Sequence, residues 1–347
     1  MRCDVPWSGV RGHDRVVAEL RRVVAGGRLP HAMLFVGPEG VGKRRFAQAL
    51  AQALLCGRSS LARLESCGAC DDCRQVEAGV HPDLLRVARG ASQHELPIQA
   101  IRDVCHELTL KPMRGGWRVA IVEDAESLSE EAANAFLKTL EEPPAGSVVI
   151  LIGVTAEQLL ETVVSRCRVV RFEPLADEEL AAILLDLGVA EDLEQAVQWA
   201  RRGEGSVTRA LGLADPALDR FRRTMVERLA SEGGFDAGKM AQEVETFARE
   251  AGKESAAQRD RVRLLAGELA RFYRGVLWQS AGLEPPCPDP SDREAAKRLA
   301  ARLETDRVVE LAERCLEADY HVVRRANLGL VIEAWMADLA RLGSGST

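Results

Sequence analysis

The sequence has no apolar run approaching the ~20 residues needed to cross a bilayer, so no membrane span is expected. Its first residues, MRCDVPWSGVRGHD, lack the apolar segment of a secretory signal. A basic excess is also missing. The 46 Lys and Arg stand against 53 Asp and Glu, a net charge of −7, so any contact with nucleic acid needs a local patch. No internal repeat or low-complexity tract is found. A cytoplasmic protein is the expectation, and there the nine cysteines should be reduced. What remains is a chain of 347 residues, 46% hydrophobic, long enough for two or three domains with a sizeable core.

Short apolar runs alternate with helical patterns over residues 1–175. Candidate strands are Met33–Val36, Leu84–Val87, Val119–Val122, Val148–Ile152 and Val169–Phe172. Most are nearly continuous in apolar residues, as strands buried on both faces are. The alternation predicts a parallel α/β sheet. Pro174 closes this region, and Asp177–Leu213 reads as a small helical unit. No strand is expected over 214–347. In its last helix Leu328, Ile332, Trp335, Leu339 and Leu342 fall at 4-3-4-3 spacing, one apolar stripe. Gly282–Asp292 reads as a loop, and the terminal GSGST as frayed.

Gly37-Pro38-Glu39-Gly40-Val41-Gly42-Lys43 fits the phosphate-binding pattern G-x-x-x-x-G-K. Gly37, Gly40 and Gly42 let backbone N–H groups turn inward on an anion, the next helix adds its positive end, and Lys43 neutralises phosphate charge. A plain strand–turn–helix also uses glycines for close packing; the preceding strand and the lysine favour the phosphate reading. The pattern then calls for a hydroxyl that ligates Mg²⁺, and Arg44 stands there. A guanidinium has no lone pair for a metal, although it can touch a phosphate. ATP and Mg²⁺ are therefore expected to be weakened or lost as ligands, with turnover suffering more than binding.

A second half-site follows the strand Val119–Val122. Glu123-Asp124 reverses the usual Asp-Glu order, in which Asp holds Mg²⁺ through water and Glu polarises the attacking water. The swap moves each carboxylate by about one methylene, and such sites tolerate misplacement poorly. Two solvated acids after a strand are the plainer alternative. Ser127-x-x-Glu130 reads as a capping box for the helix that stops before Pro143-Pro144.

Cys56, Cys67, Cys70 and Cys73 are spaced C-x10-C-x2-C-x2-C. Three thiolates converge from one loop and a fourth comes from the end of the preceding helix. That set closes a tetrahedron around a structural Zn²⁺, with no position left for substrate. A redox C-x-x-C is the alternative. Cys3, Cys105, Cys167, Cys287 and Cys315 are isolated and read as packing residues.

Several motifs occur in one order: HAMLFVGPEGVGK (His31–Lys43), the four-cysteine insert, HPDLL (His81–Leu85), GGWRVAIVEDAESLSEEAANAFLKTLEEPP (Gly115–Pro144) and SRC (Ser165–Cys167). The sequence resembles the bacterial DNA polymerase III clamp-loader family, with the delta-prime type as the better fit. The likeness covers nearly all of the first 212 residues and, more weakly, NLGLVIEAWMADLARL (Asn327–Leu342). It implies an α/β P-loop AAA+ module over 1–175 with a zinc module near 56–73. A helical lid over 176–213 and an all-α collar over 214–347 would follow. It implies a five-subunit ring with delta and gamma/tau-type ATPase subunits that loads a sliding clamp onto primed DNA. It also implies that the chain does not hydrolyse ATP itself. Arg166 of the Ser-Arg-Cys motif would reach into the ATP site of a neighbouring subunit.

Two further departures from the family pattern stand in the same site. Gly153, with no side chain, occupies the place of a Thr or Asn that meets the γ-phosphate. Thr208 occupies the place of the lid's nucleotide-sensing arginine, with Arg209 one step, roughly 100°, around the helix. Arg102 and Arg114 are candidates for DNA-backbone contact. The alternatives are an active gamma/tau-type ATPase, or an unrelated P-loop enzyme.

Overall fold

The computed structural model describes residues 7, 9–27, 29–58, 64–90, 93, 95–114, 116–231, 233–284 and 290–344, the side chains of Pro290 and Ser291 excepted. Cys3, Cys287 with the rest of 285–289 in the Gly282–Asp292 stretch, and the end of GSGST lie outside those residues. The chain divides into two compact units, Met1–Thr208 and Arg209–Thr347.

The first unit contains α1 (Asp14–Ala25), β1 (Ala32–Val36), α2 (Lys43–Leu55), α3 (Asp71–Glu77), β2 (Leu84–Val87) and α4 (Ile98–Thr109). It continues with β3 (Arg118–Val122), α5 (Glu130–Glu141), β4 (Ser147–Ile152), α6 (Glu161–Val164), β5 (Arg168–Arg171), α7 (Asp177–Asp186) and α8 (Leu193–Gly203). α9 (Val207–Leu213) runs across its end. The strands form one parallel sheet, as the alternation of apolar runs and helical patterns predicts; the structure adds its order, β2-β3-β4-β1-β5. β5 stops at Arg171, and the Phe172 N–H still donates to the Val36 carbonyl at 2.8 Å.

Side chains alternate faces along a strand, so each apolar run feeds two cores. Met33, Phe35, Val119, Ile121, Val148 and Ile150 join α1 and α2 on one face. Ala32, Leu34, Val36, Ala120, Val122, Val149 and Leu151 join α4 and α5 on the other. Because helices cover both faces, no polar residue is needed within the central strands. The parallel register also brings the carboxyl ends of β1, β3 and β4 to one edge, where ligands of open α/β sheets bind.

Two local readings are corrected. The cap of α5 is Ser129, whose hydroxyl accepts the Ala132 N–H at 3.2 Å. Ser127 closes a short 3-10 turn, Ala125–Ser127, and donates to the Asp124 carbonyl at 2.7 Å, so the expected box from Ser127 to Glu130 does not form. α13 begins at Pro290, inside the stretch read as loop, because proline's fixed φ and missing N–H suit a first helical turn.

The second unit is helical throughout its described residues: α10 (Pro216–Ala230), α11 (Ala237–Arg249), α12 (Ser255–Ser280), α13 (Pro290–Arg302), α14 (Thr305–Val323) and α15 (Leu328–Gly343). Ile332, Trp335, Leu339 and Leu342 of the expected α15 stripe are buried, joined by Met336; Leu328 is partly buried. They pack with Val262, Leu265, Leu269 and Tyr273 of α12 in one core. Arg222 reaches Asp292 at 2.6 Å, a buried pair joining α10 to α13. Among the described residues, no helix is long and apolar enough to cross a membrane.

Candidate functional site

The loop after β1 occupies the carboxyl edge of the sheet. The Gly37 N–H donates to the Val154 carbonyl at 2.9 Å, tying the loop to the segment after β4. Gly37, with φ of 149°, lies so close to the chain that an added Cβ would stand 2.3 Å from the Phe172 carbonyl oxygen. At Gly40, with φ of 78°, a Cβ would meet the Ser206 hydroxyl at 2.2 Å. The Gly40 carbonyl in turn accepts the Val207 N–H at 2.9 Å. Only glycine fits both places, and the loop is sewn directly to the Ser206–Thr208 segment.

Gly42 leads into α2 with φ of 102°. Lys43, only 8% exposed, donates to the carbonyls of Gly37 at 2.5 Å and Pro38 at 2.6 Å. Burial lowers its pKa, opposed by the nearby charges of Glu39 and Glu126. The ammonium expected to meet a phosphate is held by its own loop.

Arg44 lies over the two strand-end acids. Its Nε is 2.8 Å from Glu123 Oε2 and its Nη2 is 3.2 Å from Asp124 Oδ1. The other oxygen of Glu123 accepts from Arg86 on β2 at 2.9 Å. The Glu123 side chain is 7% exposed, and each of its two oxygens is met by a guanidinium. A divalent cation here needs carboxylate oxygens that Arg44 and Arg86 already occupy. The positive charge that a metal would bring is supplied by a side chain.

Asp124 adopts a left-handed φ of 52°, which turns the chain into the 3-10 turn. Glu126 follows, with Oε2 buried and without a hydrogen-bond partner among the described residues. Burial raises its pKa, and the charges of Asp124 and Glu39 act in the same direction. A Cβ on Gly153 would stand 3.0 Å from that oxygen, so the carboxylate fills the space beside a residue with no side chain. Thr208 lies against Gly40, and Arg209 donates to Glu268 at 2.8 Å. Sequence reasoning misses Arg86, and it names Glu126 only as the last acid of the run after β3, without its place beside Gly153. The first is found only once β2 is known to flank β3, and the place of the second only once β4 is known to flank β3.

Replacing Arg44 by Thr should release Glu123 Oε2 and Asp124 Oδ1 and add the missing hydroxyl. Fluorescent-nucleotide titration should then show affinity that rises about tenfold on adding Mg²⁺, with no such rise in the parent chain. Equal affinities with Mg²⁺ and with EDTA in both proteins would count against this role for Arg44.

The four cysteines come together as their spacing predicts. All four sulfur atoms lie within 4.8 Å of one another. Cys56 and Cys67 are 3.7 Å apart, Cys56 and Cys70 3.9 Å, and Cys67 and Cys73 3.9 Å. A tetrahedron with Zn–S bonds of about 2.3 Å has edges of about 3.8 Å. The separations fit that ion and exclude disulfides, which need about 2 Å. Cys56 caps the end of α2, and Cys70 caps α3 by accepting the Cys73 N–H. Behind the cluster, Gln52 donates to the Cys73 carbonyl at 3.0 Å and accepts from Ser66 at 3.1 Å. Burial raises Cys70 and Cys73, while the Ala69 N–H draws Cys67 down to about 6. Elsewhere, burial pushes Cys167 and Cys315 up to about 12, in keeping with inert packing residues.

Arg166 stands just past α6, far along the chain from the loop. Its Nε donates to Glu141 Oε1 at 2.7 Å, and its Nη1 to the Thr162 carbonyl at 2.9 Å. The side chain is 32% exposed. Arg114 pairs with Asp72 at 3.3 Å, and Arg102 is exposed on α4. The HPD motif is structural. Buried Asp83 accepts the backbone N–H groups of Met113 and Arg114 at 2.8 and 3.0 Å and fixes the entry to β3.

A glycine loop after β1, an acid-ended β3 two strands away and β4 between them define a P-loop α/β module. The family model described as DNA polymerase III, delta subunit, matches residues 12–176. DNA polymerase III subunit delta' of Escherichia coli (strain K12) is 35% identical over 204 residues, 59% of this chain and 60% of that protein. DNA polymerase III subunit tau of the same organism is 33% identical over 216 residues, 61% of this chain and 33% of that protein. A crystal structure of a DNA polymerase III gamma subunit-related protein from Thermotoga maritima is 18% identical, with a TM-score of 0.42, covering 94% of this chain and 99% of that one. Over residues 12–176 the chain is thus similar to DNA polymerase III clamp-loader subunits. It spans about a third of the tau relative's length and 60% of the delta' relative's.

Proposed function

We propose that this chain is a delta-prime-type subunit of the DNA polymerase III clamp loader, in the cytoplasm, and does not itself hydrolyse ATP. In this reading the AAA+ module, a lid over 176–213 and a collar over 214–347 take a place in a five-subunit ring with delta and gamma/tau-type ATPase subunits. The ring loads a sliding clamp onto primed DNA. Arg102 and Arg114 are the candidates for contact with the duplex backbone, which they would read by charge rather than sequence.

The observation that carries the reading is Arg44 bound across Glu123 and Asp124. A site whose metal-binding oxygens are held by a guanidinium is poorly placed for phosphoryl transfer, which relies on a metal bridging the phosphates. Lys43 turned onto its own loop and Gly153 without a side chain point the same way. The functional group is then Arg166. Placed in the dry interface with a neighbour, its guanidinium donates an N–H to a γ-phosphate oxygen as charge develops there. Cys56, Cys67, Cys70 and Cys73 hold Zn²⁺, which ties the end of α2 to α3 and takes no part in chemistry.

The gamma/tau-type reading has one observation in its favour, the 33% identity to a tau subunit. It requires Arg44 to vacate both carboxylates. The direct test is co-purification: the full-length chain should be captured by a gamma/tau-type subunit and complete a ring that loads clamps. A chain that remains alone beside those partners contradicts the reading.

A further inference from the structure

We propose that Glu141 is the positioning residue for Arg166, holding the guanidinium in the one orientation from which it can serve a neighbouring subunit; this rests on the trans-acting role proposed above. An arginine on the surface samples many rotamers, and ordering it costs side-chain entropy. Arg166 is held on two sides. Its Nε donates to Glu141 Oε1 at 2.7 Å, and its Nη2 donates to the same oxygen. Its Nη1 donates to the Thr162 carbonyl at 2.9 Å and to the Ser165 hydroxyl at 3.3 Å. A guanidinium carries five N–H groups. Four are engaged, which leaves one on Nη2 for an incoming oxygen.

The holder is itself fixed. Glu141 is the last residue of α5, whose Phe136 and Leu140 are at most 1% exposed beneath it. Pro143-Pro144 follows and ends the helix there. Arg166, by contrast, follows a helix of four residues, a short element with little rigidity of its own. The carboxylate therefore carries the precision of α5 to a side chain rooted in a single turn. As a mere surface ion pair it would have little effect; as an orienting contact it governs whether the guanidinium meets the transition state.

The two roles separate in a reconstituted ring of full-length subunits with gamma/tau-type partners, measuring kcat and KM for ATP at the one neighbouring site that Arg166 faces, by a single-site or pre-steady-state assay. Glu141→Ala should lower kcat about tenfold with KM unchanged, since misplacement of a positioned group by an ångström costs one to two orders of magnitude. Glu141→Gln keeps an oxygen that can accept both N–H groups, and should stay within about threefold of the parent. The pair Glu141→Ala with Arg166→Ala should be no slower than Arg166→Ala alone, because the first acts only through the second. Unchanged or faster turnover in Glu141→Ala overturns the proposal, as does a loss that multiplies that of Arg166→Ala. If Arg166→Ala is itself silent, the trans-acting role has failed and the proposal falls with it. If only Glu141→Ala is silent, the positioning role alone is wrong.

Discussion

Arg166→Ala should leave the chain folded and assembled, yet depress ATP turnover at the neighbouring site it faces by roughly 10³-fold, the lower end for a trans-acting arginine. The folding half follows from exposure. Arg166 and Glu141 are 32% and 49% exposed, and an ion pair of that kind contributes about 1 kcal/mol or less. The catalytic half follows from location. In water one guanidinium does little, but in an interface closed to water the same charge acts with far less screening. Total turnover of the ring falls by the share of that one site, so a single-site or pre-steady-state assay is the sensitive measurement. Unchanged turnover in an assembled ring would refute the role.

Cys70→Ser should destabilise the first unit severely. A structural zinc in a small site binds with an apparent 10–16 kcal/mol, about as much as the ~5–15 kcal/mol that holds an ordinary domain together. Metal analysis of the parent should find about one Zn²⁺ per chain. The variant should lose the metal, and its first thermal transition should fall by more than about 10 °C or vanish, as expected for several kcal/mol. Among the described residues, the other polar ties between α2 and α3 are Gln52 on the Cys73 carbonyl at 3.0 Å, Gln48 on the Val76 and Glu77 carbonyls at 3.3 and 3.1 Å, and the surface Arg45–Glu77 ion pair at 2.7 Å. A stable, metal-free parent protein would rule the zinc out.

The parts of this molecule legible in the sequence are those set by local repetition. Strands β1, β3 and β4 are covered on both faces, so their residues are continuously apolar and stand out. The cysteines are readable because short spacings confine three sulfurs to one loop. The glycine loop is readable because a turn that close to Phe172 and Ser206 admits nothing larger. What the sequence hides is pairing at a distance. Arg44 and Glu123 are 79 positions apart, and only the order β2-β3-β4-β1-β5 brings the start of α2 over the end of β3. Glu141 and Arg166 meet because α5 and α6 end side by side, which no spacing announces. The cap at Ser129 is hidden in the sequence because a 3-10 turn and a helix start use the same residue types within three positions.

Whether the phosphate loop is scaffold or motor is decided most directly by steady-state ATP hydrolysis of the purified full-length chain, with Mg²⁺ and with Lys43→Ala as control. The expected result is no turnover above the Lys43→Ala background, with Arg44 still seated on Glu123 and Asp124. Sustained hydrolysis that disappears on Lys43→Ala would contradict it and make the chain an ATPase in its own right.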